Sequence, residues 1–156
     1  MFLMGEEIGA AHPFRYNDFY LNKEDLLGQR TGDGQFLYRF YRDLIRVVIA
    51  NPAARSRSLD VIHEHNDNRV IAFTRSSPTQ ELLVMASLND APFDHGYVIG
   101  TDPWRLPTGG WREIFNSDAA VYGGDNIGNG GATLQASNGA INAVLPANGF
   151  VVLEKM

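Results

Sequence analysis

Side chains able to do chemistry are few and scattered along this sequence. Glu6 and Glu7 are adjacent carboxylates, the residue type that gives and takes protons in hydrolytic and transfer reactions. The plainer account of them is a charged loop end beside a short strand. His63 and His65 lie two apart in a stretch with strand alternation, so both imidazoles fall on one face, a geometry that suits a zinc pair. Further ligands such as Glu64 or His95 would have to complete it, and no spacing brings them in; a solvated or structural pair explains them as well. His65-Asn66-Asp67 has the residue types of a catalytic His–Asp couple but falls in a hairpin turn. The run Gly123 to Gly131 lacks the Gly-Lys-Ser/Thr ending of a phosphate loop and reads as a surface turn with glycines at positive φ. Asp118, Asp125 and Asn126 offer oxygens of the calcium-ligand type, without the spacing of a calcium loop. Four large aromatic residues complete the inventory: Tyr97, Trp104, Trp111 and Tyr122. Trp104 sits in a loop between Pro103 and Pro107, and Trp111 opens a strand.

The elements that position these residues change period once. Met1 to Met4 is an apolar run that predicts a buried strand ending at Gly5. A long loop follows to Gly34, with a helical turn near Lys23 to Leu27. Over Phe36 to Ala50, Leu37, Phe40, Tyr41, Leu44 and Val48 recur at helical spacing, with Arg39, Arg42, Asp43 and Arg46 on the other face. Ile45, Val47 and Ile49 widen the apolar arc, which predicts a helix packed against more than one neighbour. Asn51-Pro52 ends it. From Leu59 the period is two. Leu59, Val61, His63 and His65 are assigned to one strand face, Val70 to Thr74 to a second strand, and Asn66 to Asn68 to the turn between them. Glu81 to Leu88 is a third strand, with Leu82, Val84, Ala86 and Leu88 on one side. Tyr97–Ile99, Trp111–Phe115, Leu134–Ala136, Ile141–Leu145 and Phe150–Leu153 follow, and Asn138-Gly139 marks a tight hairpin. The expected fold is mainly β: an antiparallel Greek-key sandwich of about eight strands, preceded by a helix and an extended segment. The expected division is residues 1–52 and 53–156.

Composition excludes several classes. Hydrophobic residues make up 44% and charged residues 20%, a globular balance. The formal net charge of −5 argues against a nucleic-acid partner, which requires a clustered basic surface. With no cysteine, disulfides and thiolate metal sites are impossible. This agrees with a reducing cytoplasm. No apolar run reaches membrane-spanning length, and MFLM followed by Glu6 and Glu7 does not form a secretion signal.

Several segments, in order, carry a family resemblance. WREIFNSDAAVYGGDNIGNGG, residues 111–131, resembles the tail of the bacterial α-1,4-glucan branching enzymes, members of the α-amylase superfamily. MFLMGEEIG, residues 1–9, resembles the eighth barrel strand and loop of that family. FYRDLIRVVIANPA, residues 40–53, resembles the eighth barrel helix and its exit. HEHNDNRVIAFTR, residues 63–75, resembles the first hairpin of the C-terminal β-domain. The loop from Ala10 to Arg30 departs from the pattern, which in branching enzymes is richer in Trp and Asp.

The resemblance implies a C-terminal piece of such an enzyme, with a remnant of the barrel end at 1–52 and a complete β-domain at 53–156. The family's double displacement uses two carboxylates, with a third acidic residue, on barrel strands that this chain does not contain. The resemblance therefore implies no catalytic residue, no cofactor and no metal here. It implies a structural role, with an α-glucan or maltooligosaccharide as a possible ligand. Sugar-contact candidates are Trp104, Tyr97, Trp111 and Tyr122, whose faces suit the apolar faces of a pyranose, and Glu6 and Glu7, at the strand end facing the family's cleft; for Trp111, at the start of a strand, packing in the sandwich core or at the barrel interface is the favoured account. A stand-alone glucan-binding module is the alternative. The expected partner for the exposed barrel face is the missing barrel or a second copy of the chain.

Overall fold

Period-two alternation resolves into eight strands in the computed structural model, which describes residues 5–10, 25–100 and 106–156. They are β1 (Ser58–His65), β2 (Val70–Ser77), β3 (Gln80–Ser87), β4 (Phe93–Ile99), β5 (Gly109–Asn116), β6 (Thr133–Ala136), β7 (Ile141–Leu145) and β8 (Gly149–Lys155). All pairings are antiparallel, in a six-stranded sheet of order β1-β2-β3-β8-β5-β6 and a two-stranded sheet β4-β7. The last strand is inserted between β3 and β5, so the chain closes by tying its two halves together. The sandwich expected from the turn spacing is present. The strand at Met1 to Met4 lies outside the described residues.

The chain divides into two compact units, Met1–Ile45 and Arg46–Met156. In the first, Glu6–Ile8 forms a short 3-10 turn between left-handed Gly5 and Gly9. Helix α1 (Leu26–Gln29) is capped by Asp25, whose Oδ1 accepts from the Gly28 N–H at 2.8 Å. The helical turn expected near Lys23 to Leu27 coincides with α1 at Leu26 and Leu27; Lys23 and Glu24 lie outside the described residues. Helix α2 (Gln35–Ala50) runs from one unit into the other. It is strongly amphipathic, yet no residue along it is buried. Pro52–Arg55 then makes a 3-10 turn that carries the chain to β1. Gln80 clips this turn to the sheet: its Oε1 accepts from the Ala53 N–H, and its Nε2 donates to Asn51 Oδ1 and to Glu154 Oε1.

The core lies between the two sheets. Ala72, Leu83, Met85, Val151, Leu153 and Trp111 face inward from the large sheet and meet Ile99, Ile141, Ala143 and Leu145 from the small one. One face assignment needs correction. A bulge between Val61 and His63 inserts Ile62, which turns inward to the core. Beyond it the alternation flips: His63 pairs with inward Ala72, whereas Val61 pairs with outward Phe73. Leu59 and Val61 therefore do not share a face with His63 and His65. In β3 the side turned to the core is Leu83, Met85 and Ser87. Leu82, Val84 and Ala86 occupy the outer face, and Leu88 is exposed beyond the strand end. Leu82, Val84 and Ala86 thus share one side as expected, and both faces of β3 are apolar.

Turns follow residue chemistry. Asn138 and Gly139, at φ 52° and 77°, form the tight connection between β6 and β7, as Asn-Gly predicts. The β1–β2 turn ends with Arg69 at φ 52°.

Candidate functional site

Polar and aromatic side chains gather at two places in the sandwich. The first joins the sheets at one edge. An irregularity between Phe93 and Tyr97 in β4, with Gly96 at φ 96°, leaves Tyr97 paired with inward Ala143. The Tyr97 ring packs against Phe93 at 4.7 Å and edge-on to His63 at 5.6 Å. Its hydroxyl lies 3.3 Å from His63 Nε2 and accepts from Asn68 Nδ2 at 3.2 Å. Asn68 also donates its backbone N–H to His65 Nδ1 at 3.2 Å. Two residues apart in the regular part of β1 beyond the bulge, the two imidazoles stand side by side, with ring centres 6.4 Å apart. Hairpin β1–β2 is thereby pinned to β4.

Burial lowers the His63 pKa, and the neighbouring His65 charge lowers it further. The unfolded chain then holds the proton more tightly than the folded one. Stability is unaffected well above the ordinary value of 6.5 and is lost as pH falls through 6.5 toward the depressed folded value. Urea unfolding at neutral and acidic pH checks this. The acid loss should shrink in His63→Gln, and an equal loss in that variant would refute it. Tyr97→Phe removes the hydroxyl from both partners and should cost about 1 kcal/mol.

The second cluster organises the glycine-rich loop. Glu113 in β5 is buried. Its Oε2 accepts from the Asn129 N–H at 2.8 Å and from Asn129 Nδ2 at 2.9 Å, and its Oε1 accepts from the Gly131 N–H at 3.0 Å. Asn129 passes the connection to β7: Nδ2 donates to the Val144 carbonyl, and Oδ1 accepts from the Val144 N–H. Asp118 Oδ2 accepts from the Ile127 N–H at 2.9 Å, and Asn116 Nδ2 donates to the Ile127 carbonyl at 3.1 Å. These oxygens are occupied by the loop's own amides. Among the described residues, no group of three or more His, Asp or Glu is placed to hold a metal ion. Some glycines are required by crowding instead of by φ: a Cβ at Gly124 would strike the Asp118 carbonyl, and one at Gly128 would strike the Asn116 side chain. Glu113 and Asn129 escaped the sequence reading. The available signal was a charged residue at an inward position of the strand opened by Trp111.

The expected site residues do not converge. Trp111 has no exposed surface; it lies in the core, and its Nε1 donates to the Pro107 carbonyl at 3.2 Å. The core account of Trp111 is the one observed, and the ring has no face to offer a sugar. Tyr122 is half-buried and stacks on Phe115 at 5.6 Å, which stacks in turn on Phe150 at 5.6 Å. Tyr97 is half-buried in the sheet junction described above. Glu6 is exposed, while Glu7 Oε2 accepts from the Gly5 N–H at 3.0 Å. Trp104 lies outside the described residues.

The described residues form a small antiparallel sandwich whose polar clusters hold its own turns. The family model for the alpha amylase, C-terminal all-beta domain matches residues 61–155, and the chain belongs to that family. It is 38% identical over 126 residues to a 1,4-alpha-glucan branching enzyme of Xanthomonas euvesicatoria, covering 72% of this chain and 16% of that protein. It is 32% identical over 140 residues to one of Novosphingobium aromaticivorans, covering 83% of this chain and 18% of that protein. The chain thus spans less than a fifth of these relatives. Among solved structures, an alpha-amylase from H. orenii aligns with a TM-score of 0.53 at 24% identity, over 86% of this chain and 25% of that one. A debranching enzyme of Nostoc punctiforme aligns at 0.52 and 14%, over 79% and 21%. At these identities the structural likeness concerns the fold.

Proposed function

We propose that the chain is the non-catalytic C-terminal β-domain of an enzyme acting on α-glucans, and that it supports the enzyme by covering one side of the catalytic barrel. One observation carries this reading. The outer face of the large sheet bears an apolar row that crosses five strands in register, of which Val61, Phe73 and Val84 keep exposed surface while Val152 and Phe115 are already covered. A sheet that is apolar on both faces belongs between two layers. The small share of the relatives' length supplies the occupant: the remainder of such an enzyme. Residues 1–52, with the unburied α2, are read as the end of that barrel. The proposed setting is glycogen or storage-glucan synthesis in the cytoplasm.

The purified chain incubated with amylose should neither change its iodine colour nor release reducing ends, and titration with maltoheptaose should give flat heats. Turnover would overturn the non-catalytic reading. Saturable binding would overturn the purely structural one in favour of a glucan-binding module.

A further inference from the structure

Three Asn-Gly pairs occur in the chain, at Asn129-Gly130, Asn138-Gly139 and Asn148-Gly149. In such a pair the glycine nitrogen can attack the asparagine side-chain carbonyl carbon, since glycine has no Cβ to hinder the approach. The N–Cγ bond forms, the Cγ–Nδ2 bond breaks, and ammonia leaves with the proton that the glycine nitrogen gives up. Water opens the resulting succinimide at one carbonyl or the other, giving aspartate or isoaspartate. The dipeptide is the same in all three cases, so the fold must discriminate between them.

Asn129 is locked. Its Nδ2 donates to Glu113 Oε2 and the Val144 carbonyl, and its Oδ1 accepts from the Val144 N–H. Asn148 is tethered: its Nδ2 donates to Asp90 Oδ1 at 3.2 Å and its N–H to the Asn89 carbonyl at 3.0 Å. Its glycine is held in β8 opposite Ser87 and packed against Ser117 and Pro146. Asn138 is exposed at φ 52°. Neither its carboxamide nor the Gly139 N–H has a hydrogen-bond partner among the described residues, and the turn is held by the flanking bonds between Ser137 and Ala140.

We infer that Asn138 is the residue at which the folded chain undergoes spontaneous deamidation and isoaspartate formation, with water as the co-reactant. The position matters to the fold. The turn carries the chain from β6 in the large sheet to β7 in the small one. The Gly139 carbonyl abuts Gly100, so closely that a Cβ there would collide with it. Isoaspartate adds a methylene to this backbone and should loosen the β4–β7 sheet.

The test is peptide mapping with isoaspartate detection, after the whole chain has stood in mildly alkaline buffer with and without urea. In urea the three sites should react at comparable rates. In the folded chain Asn138 should lead, and Asn129 should be slowed more than about tenfold relative to its rate in urea, since several hydrogen bonds must open together. Folded-state reaction at Asn129 or Asn148 that matches or precedes Asn138 would overturn the inference. Asn138→Gln, which cannot close the same ring, should fold normally and lose the early isoaspartate; an undiminished early yield would also overturn it.

Discussion

Glu113→Ala is expected to destabilise the domain by about 3 kcal/mol or more, because it removes the acceptor for three N–H groups at once. Two of those donors are backbone amides in a loop that has no ladder of its own, so nothing nearby replaces the carboxylate. The loss should spread past the site. Asn129 connects Glu113 to the Val144 backbone in β7, so the substitution weakens both the loop and its attachment to the small sheet. Glu113→Gln keeps one oxygen but turns an NH2 group toward donors; it should recover less than half of the loss. Asn129→Ala should also destabilise strongly, and the double variant should cost clearly less than the sum, since both substitutions break the same connection. Urea unfolding followed by fluorescence measures all four proteins. Additive losses, or a change at Glu113 below about 0.5 kcal/mol, the range of ordinary surface substitutions, would show that the loop holds itself.

Much of this architecture was legible in the sequence, for identifiable reasons. Each strand from β1 to β8 was expected in place, though β4 starts four residues earlier and β2 ends three later than expected, because turn residues punctuate the chain at short intervals: Asn138-Gly139 forms the predicted hairpin, with both residues at positive φ. The helix ended where Asn51-Pro52 required. Faces were harder to read. Counting by twos from Leu59 fails at Ile62, because a bulge leaves no mark in composition. Counting by twos in β3 groups Leu82, Val84 and Ala86 correctly but does not say which side faces the core. Leu82, Leu83, Val84 and Met85 form a continuous apolar run, as expected of a strand covered on both sides. Side-chain roles were the least legible. Aromatic residues were weighed by their chemistry, but whether a ring faces a sugar or the core depends on register. Glu113 stands at an inward position two residues after Trp111, a signal that hints at burial but not at its partner. Only the register facing it toward the Asn129 loop reveals what its carboxylate does.

Trp111→Ala should be the most damaging single truncation, at about 3 to 5 kcal/mol. The ring is fully buried and belongs to the core cluster, beside Leu134 of β6 in register. Removing it leaves a cavity that strands fixed by ladders on both sides cannot collapse to fill. The indole also does directional work: its N–H to the Pro107 carbonyl fixes the approach to β5, next to buried Leu106. Trp111→Phe should therefore cost less than the alanine change but more than its lost volume alone, because the Pro107 carbonyl then loses its partner. For a domain whose total stability is of the usual order, about 5 to 15 kcal/mol, the alanine variant would lose a large part of that margin. The chain has two tryptophans, so Trp104→Phe leaves Trp111 as the sole indole reporter. In that background the native emission should be blue-shifted, as for a dry ring, and should move to the solvent-exposed value in one cooperative urea transition. A red-shifted native emission, or a Trp111→Ala protein as stable as the parent, would contradict a core role and return this residue to the surface, where a sugar could reach it.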